Sequence, residues 1–441
     1  MQKFTLFLVA SLLIASSAQA QGYRGKDFWV AFPQNAIDEG NKILSLSLYI
    51  TAESRASGKI IYLNDSVPFS VETGSSVEID LDTNLEMLHS GETEKKAAHV
   101  VCDHDISLYA VSHRPASTDS YMAIPTPNLG TDYIVAGYTS LKNGPESFSS
   151  QAAIVASENN TLITIHLAGP TREGLPKGRT ISFGLDSGQS YQLQGSRDGG
   201  DLTGSTVTAS KPIAFFTGHS CAQVPSSMSY CDMLLEMEAP SNNWGKSYIL
   251  TKFEKKNYYV IRVIARNDST VVSLNGEKMA WLMRGEFREF DTLGFDAIVT
   301  ASKPVLVAQY GTSSTADSVQ VGDPFMLLAI PDDRFVKEVT TTSVTTGSWD
   351  NYLNVVVPNT GVSTLSIDNA LVASGKFPMQ ISLASERKLP SAKATIFTFH
   401  VPSGRHLLKC SSPIGVYSYG FGVGNDNYDS YGHGCGERLG K

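Results

Sequence analysis

The sequence predicts an all-β protein of four tandem β-sandwich-like repeats, each of about 100 residues. A closed, propeller-like ring of the same four units is the alternative. Three observations predict this class. Segments of about 5–8 residues, rich in Val, Ile, Thr, Tyr and Phe, recur along the chain and often alternate. Asn-Asn, Asn-Asp, Asn-Gly, Gly-Gly and Pro-Asn pairs punctuate them. Longer signatures return in one fixed order, which is how a repeat architecture shows itself in sequence.

Composition sets the outer bounds. The chain has 441 residues, 41% hydrophobic and 18% charged, so there is enough apolar material for real cores and nothing of the disordered, collagen-like or membrane-bundle classes. Lys plus Arg number 35 against 43 Asp plus Glu, for a net charge of -8. No segment concentrates the basic residues, and without a positive face a nucleic-acid partner is not expected.

Residues 1–20 read as a signal peptide. Lys3 precedes an apolar run from Phe4 to Ala15, followed by Ala18-Gln19-Ala20, whose small residues suit cleavage after Ala20. The run is too short for a membrane helix, which needs about 20 residues. A secreted, extracellular protein without a membrane span is expected.

The repeats follow as 21–127, 128–241, 242–331 and 332–441. A strand opener appears as Gly25-Lys26-Asp27-Phe28, Gly130-Thr131-Asp132-Tyr133 and Gly245-Lys246-Ser247-Tyr248, with a degraded fourth copy around Arg334-Phe335-Val336. An apolar strand, polar turn and second strand come next at Ile154–Ile165, Val263–Leu274 and Val355–Leu365, with a looser first copy at Leu46–Tyr62. The third signature is a strand ending in small residues and Pro: Ala209-Ser210-Lys211-Pro212, Ala301-Ser302-Lys303-Pro304 and Cys410-Ser411-Ser412-Pro413, with Asp103-His104-Asp105 as the weak copy. Asp105, Pro212, Pro304 and Pro413 are spaced by 107, 92 and 109 residues. Helical periodicity is confined to a short turn near Asn84 to Lys96.

Five cysteines follow the leader: Cys102, Cys221, Cys231, Cys410 and Cys435. Cys221 and Cys231 bracket a short Pro/Ser-rich loop of the kind a local disulfide closes. Cys410 with Cys435 is the next pair expected, a Cys102–Cys410 bridge being the alternative. The odd count leaves a thiol such as Cys102 for pairing between chains. Asn64, Asn159 and Asn267 head N-x-S/T sequons in turns, the last two in equivalent turns of the second and third repeats.

Two patterns touch on chemistry. Gly218-His219-Ser220-Cys221-Ala222 imitates a nucleophile elbow but has Ala222 where that turn needs Gly, so no catalytic residue is assigned. An acidic residue recurs before each new module: Asp119, Asp232, Asp323 and Asp429. Turn chemistry explains it, the carboxylate accepting backbone N–H bonds at a strand start; a repeated ligand or Ca2+ contact is the functional reading, although one carboxylate per repeat falls short of the six to eight oxygens calcium takes. No metal or cofactor is expected.

The long motifs GKDFWVAFPQN, DLTGSTVTASKPIAFFTG, YCDMLLEMEAP, WGKSYIL, ASKPVLVAQYG and GDPFMLLAIP resemble the N-terminal domain of the IgG-Fc-binding protein family, over about Gly25 to Tyr431. The resemblance implies an extracellular, mucus- or matrix-associated adhesion module with a protein or glycan ligand, and no reaction. Five cysteines leave no room for the cysteine-rich von Willebrand D-type repeats that the vertebrate mucus protein attaches to this module. The leading expectation is a secreted, non-catalytic binding protein. The competing ones are a self-associating matrix component and a glycan-active hydrolase.

Overall fold

A computed structural model describes residues 22–37, 43–141, 148–197, 199–316, 320–424 and 427–440. The predicted leader lies outside these residues. The described chain is β throughout, with helix only as three-residue 3-10 turns. The helical turn expected near Asn84 to Lys96 is one of them, Thr83–Leu85, capped by the Asp82 carboxylate on Asn84 N–H at 2.8 Å.

Strands gather into four sheets of eight, eight, seven and eight strands, which match four repeat-like units. The seam between the first two is stitched by Thr93–Glu94, which pairs with Ser190–Gln194 of the second sheet. Each sheet is organised by one long strand: Ala97–Arg114, Thr206–Ala222, Ala297–Gly311 and Gly404–Gly422. At 15 to 19 residues, these are about three times the usual length. A flat strand that long cannot stay in one layer, and each is broken by a register shift opposite its opener.

The small-residue-and-Pro signature lies at that shift, inside the long strand rather than at its end as expected. The reason is local. Proline has no N–H to give a ladder and is accepted at a bulge, where the strand bends and changes partners. The first half of each long strand pairs with the opener, and the second half with Ser45–Ala52, Ser150–Ala156, Tyr259–Ala265 or Trp349–Pro358. Each unit is therefore a curled sheet whose two layers share a strand, the way sandwich corners are made.

The last strand of each unit is the innermost: Ser117–Met122, Asp232–Met237, Met326–Leu328 and Ser430–Gly434. These four touch in cyclic order, first to second, second to third, third to fourth and fourth back to first. Sandwich-like units and a closed ring are both present. Apolar cores run across the seams: Phe216 and Leu235 join the first core, Val224 and Tyr310 share another, Phe325 and Phe421 a third, and Tyr109 and Tyr431 the fourth. Burial on this scale, at about 25 cal/mol per Å² of apolar surface, is what holds the ring.

Candidate functional site: an axial aspartate cluster

The recurring aspartates begin, or closely precede, the four inner strands, so ring closure brings them to one place. Asp119, Asp232 and Asp429 are 0% exposed and Asp323 is 3% exposed. Three accept the N–H of the next residue: Ser120 on Asp119 at 2.9 Å, Met233 on Asp232 at 2.6 Å and Ser430 on Asp429 at 3.0 Å. Asp323 is followed by Pro324, which has no N–H, and takes Ser314 N–H instead at 2.9 Å.

Asp119 does more than its counterparts. Its Oδ2 accepts Leu235 N–H at 2.8 Å and Met326 N–H at 3.2 Å; its Oδ1 accepts Gly432 N–H at 3.1 Å besides Ser120. Leu235, Met326 and Gly432 each lie three residues after the aspartate of their own unit. One side chain thus receives a backbone donor from all four units. Burial raises the Asp119 carboxyl well above the usual range, and these four N–H groups oppose that rise; against the burial stands the geometry of the hydrogen bonds. Both oxygens are filled by donors, which leaves an acid proton no acceptor, so the site suits the ionised carboxylate.

Asp232 has the opposite surroundings. Burial, then the charges of Asp429, Asp323 and Asp119, push it well above the usual range, and its Oδ2 is buried without a hydrogen-bond partner. Burial also raises Asp429, opposed by His113 and by the Thr118 hydroxyl at 2.8 Å. Burial raises Asp323, opposed by Ser314 and the Lys256 ammonium. The ring is further laced by Ser120 Oγ with His433 Nδ1 at 2.7 Å and Asp323 N–H on Tyr428 O at 2.7 Å. Among the described residues no group of three or more His, Cys, Asp or Glu is arranged to hold a metal ion.

The sequence reading passed over two further buried acids: Glu236 belongs here, its carboxyl raised by burial and then by the charge of Asp119, whereas Glu238 lies toward Asp132. Glu236 is 4% exposed and accepts Leu328 N–H at 3.1 Å; Glu238 is fully buried and accepts Ile134 N–H at 3.4 Å. Their signal was the alternation Asp232, Leu234, Glu236, Glu238, which puts Asp232 and Glu236 on one face of the inner strand Asp232–Met237 and Glu238 just past its end. At the seam between the first and fourth units, Tyr23, Arg24, Thr340, Glu437 and Arg438 help to line a cavity of about 380 Å³. Burial pushes the Glu437 carboxyl up to about 8. The cavity is large enough for a small polar ligand.

Cys221 and Cys231 form a disulfide, Cα–Cα 5.1 Å. The expected Cys410–Cys435 bridge is not made, nor is Cys102–Cys410: all three thiols are free. Each faces different neighbours, Cys410 Sγ against Gly361 O at 3.4 Å, Cys435 Sγ against Thr341 Oγ1 at 3.1 Å and Cys102 Sγ against His104 O at 3.1 Å. Burial, with Asp103 and Asp105 adding, pushes the Cys102 thiol up to about 12, which keeps it protonated and a poor nucleophile. Ser220 lies within the long strand Thr206–Ala222, with no helix after it. Asn64, Asn159 and Asn267 are exposed in turns at the outer ends of their units.

Three comparisons bear on identity. A family model described as "IgGFc binding protein" matches residues 119–420. The human IgGFc-binding protein is 28% identical over 319 residues, 70% of this chain, and the chain spans only 6% of that relative's length. Among solved structures, a Streptomyces avermitilis alpha-L-rhamnosidase complexed with L-rhamnose aligns with 94% of this chain and 55% of its own at 8% identity. Its TM-score of 0.13 carries no argument. With more than half of its length matched by the family model, the chain belongs to the IgGFc binding protein family.

Proposed function

We propose that this chain is a secreted, non-catalytic binding and adhesion protein of mucus or extracellular matrix. Family membership carries the reading. The fold is compatible with it: a ring locked by buried groups presents its loops on a rigid frame, which limits the ordering cost of binding. The central acids have at most 3% exposure in the four aspartates, so they stand as a structural hub rather than as acid–base groups meeting a substrate. The ligand is an extracellular protein or glycan. Immunoglobulin Fc is the first candidate, because the human relative is named for it.

The remaining parts of the proposal concern processing and layout. Residues 1–20 are removed on export, repeats occupy 21–127, 128–241, 242–331 and 332–441, and Asn64, Asn159 and Asn267 carry glycans in a eukaryotic secretory pathway. The test is a binding screen of purified residues 21–441 against a glycan array, mucin, matrix proteins and Fc, with and without Ca2+. Saturable binding to one class supports the reading; absence of binding to every class sinks it.

A further inference from the structure

The cavity of about 380 Å³ at the seam between the first and fourth units falls within the range of small-molecule sites, about 300–1,000 Å³. Its walls come mainly from the openers Arg24–Pro33 and Val336–Ser343 and from the segment around Glu437. These pieces are pinned to one another without any ligand. Arg438 N–H donates to Arg334 O at 2.9 Å, Arg438 Nη2 donates to Asp333 O at 2.9 Å, and Gly22 packs so closely on Glu437 O that a Cβ has no room there. A regular strand turns alternate residues to opposite faces. The register shift between Val336 and Glu338 breaks that rule and lets the neighbours Lys337 and Glu338 both border the space.

The charge on the walls is unequal. Arg24, Lys337 and Arg438 line the cavity together with two acids, Glu338 and Glu437. Glu338 is already held, by Arg24 at 3.5 Å and by Lys409 at 3.1 Å. Among the described residues, Lys337 and Arg438 pair with no carboxylate. Burial pushes the Glu437 carboxyl up to about 8 against the Arg334 guanidinium and the Tyr23 hydroxyl at 3.5 Å, with Asp333 adding to the rise. Tyr248, Tyr417 and, beyond Tyr23, the buried Glu236 also stand near it. At neutral pH Glu437 is thus an uncharged acid with an O–H to donate. The cavity carries surplus positive charge and a hydrogen-bond donor, with Met122, Phe335 and Val339 as an apolar wall.

We propose that this cavity binds a small organic carboxylate, its anionic head met by Lys337, Arg438 and Arg24 and its body by the apolar wall. Arginine and lysine without a carboxylate of their own are the groups that recognise one on a ligand. The neutral Glu437 adds an O–H for one ligand oxygen, whereas an ionised Glu437 repels the same oxygen. A cationic ligand meets the opposite arrangement, two unpaired cations and an acid that burial keeps uncharged. Inorganic phosphate satisfies the cations but leaves the apolar wall uncovered. This inference stands apart from the identity of the protein or glycan ligand and holds or falls without it.

Calorimetric titration of residues 21–441 with glucuronate, N-acetylneuraminate and benzoate tests it, with methyl glucoside as the uncharged counterpart and inorganic phosphate as the bare anion. Saturable binding of at least one carboxylate at pH 7 is expected, and the comparison of the two sugar acids with benzoate tells which kind of body the wall accepts. Lys337→Ala and, separately, Arg438→Gln, both at exposed positions, are expected to raise the dissociation constant about tenfold with unchanged thermal melts. Wild-type affinity is expected to fall about tenfold between pH 7 and pH 9 as Glu437 ionises. Glu437→Gln, uncharged at both, is expected to lose that pH dependence while still binding, a signature that mere support of the wall does not produce. Absence of binding by all three carboxylates overturns the inference, as does binding untouched by both cation variants or unchanged in the wild type between pH 7 and pH 9. Methyl glucoside or phosphate binding as tightly as the best carboxylate also overturns it.

Discussion

At the scale of single residues, four equivalent aspartates have been driven to different chemistry by where the ring places them. Asp119 meets four N–H donors and no proton acceptor; Asp232 meets three other carboxyls and leaves one oxygen unpartnered. Isosteric amides should separate the two. Asp119→Asn turns an amide NH2 toward two backbone donors and is expected to cost about 3 kcal/mol or more, read as a lowered urea midpoint. Asp232→Asn removes a carboxyl whose folded pKa is raised. Such a group contributes stability below its unfolded pKa and loses it as pH rises through the folded one, so this variant should gain on the wild type as pH rises. Glu437 follows the same sign with a defined window, from the ordinary 4.5 to about 8. Glu437→Gln should match the wild type at pH 4 and exceed it at pH 8 in thermal melts; equal pH profiles would show that the raised Glu437 does not exist.

At the scale of elements, the opener signature has a steric cause. A Cβ on Gly25, Gly130 or Gly245 would lie 2.6, 2.5 or 2.3 Å from the Cβ of Pro125, Pro240 or Pro331, the proline that follows the inner strand of the same unit. Glycine is required there because a proline ring packs directly on its Cα, not because of a left-handed turn. In the second and third units the Tyr hydroxyl three residues on accepts the glycine N–H at 2.9 Å, Tyr133 on Gly130 and Tyr248 on Gly245, which explains a Gly-x-x-Tyr spacing. The fourth unit inverts the scheme: Phe335 fills the gap, and the glycine sits on the long strand as Gly415. Gly245→Ala is therefore expected to cost about 1–3 kcal/mol by overpacking, while Gly174→Ala, whose glycine has nothing within 4 Å but a φ of +83°, costs only backbone strain. Chemical denaturation of the pair distinguishes close approach from conformation.

At the scale of the whole molecule, ring closure makes the four units one cooperative object. Tandem independent domains lose one unit's stability when one unit is removed; a ring loses two seams and its hub. A chain ending at residue 331 lacks Gly432 on Asp119, the Tyr109–Tyr431 core and the Phe325–Phe421 core. It is expected to show no cooperative near-UV transition in urea and rapid cleavage by trypsin. A cooperative, protease-resistant 21–331 fragment would mean that the units are beads after all.

What the sequence determined by itself was what short-range physics writes into it. Strand class came from residue type and alternation, the four units from recurring signatures, and the Cys221–Cys231 loop from two cysteines only ten residues apart. The tertiary structure alone decided what depends on residues about a hundred positions apart. It set the bend of each long strand, at Pro212, Pro304 and Pro413 in three of them and at Asp103-His104-Asp105 in the first, the closing of sandwich-like units into a ring, and the meeting of Asp119, Asp232, Asp323 and Asp429. It also kept Cys410 and Cys435 apart. A turn aspartate and a hub aspartate share the same local sequence; only the N–H groups delivered by three distant strands make Asp119 the second, because the desolvation and hydrogen bonding that distinguish them are properties of the assembled core.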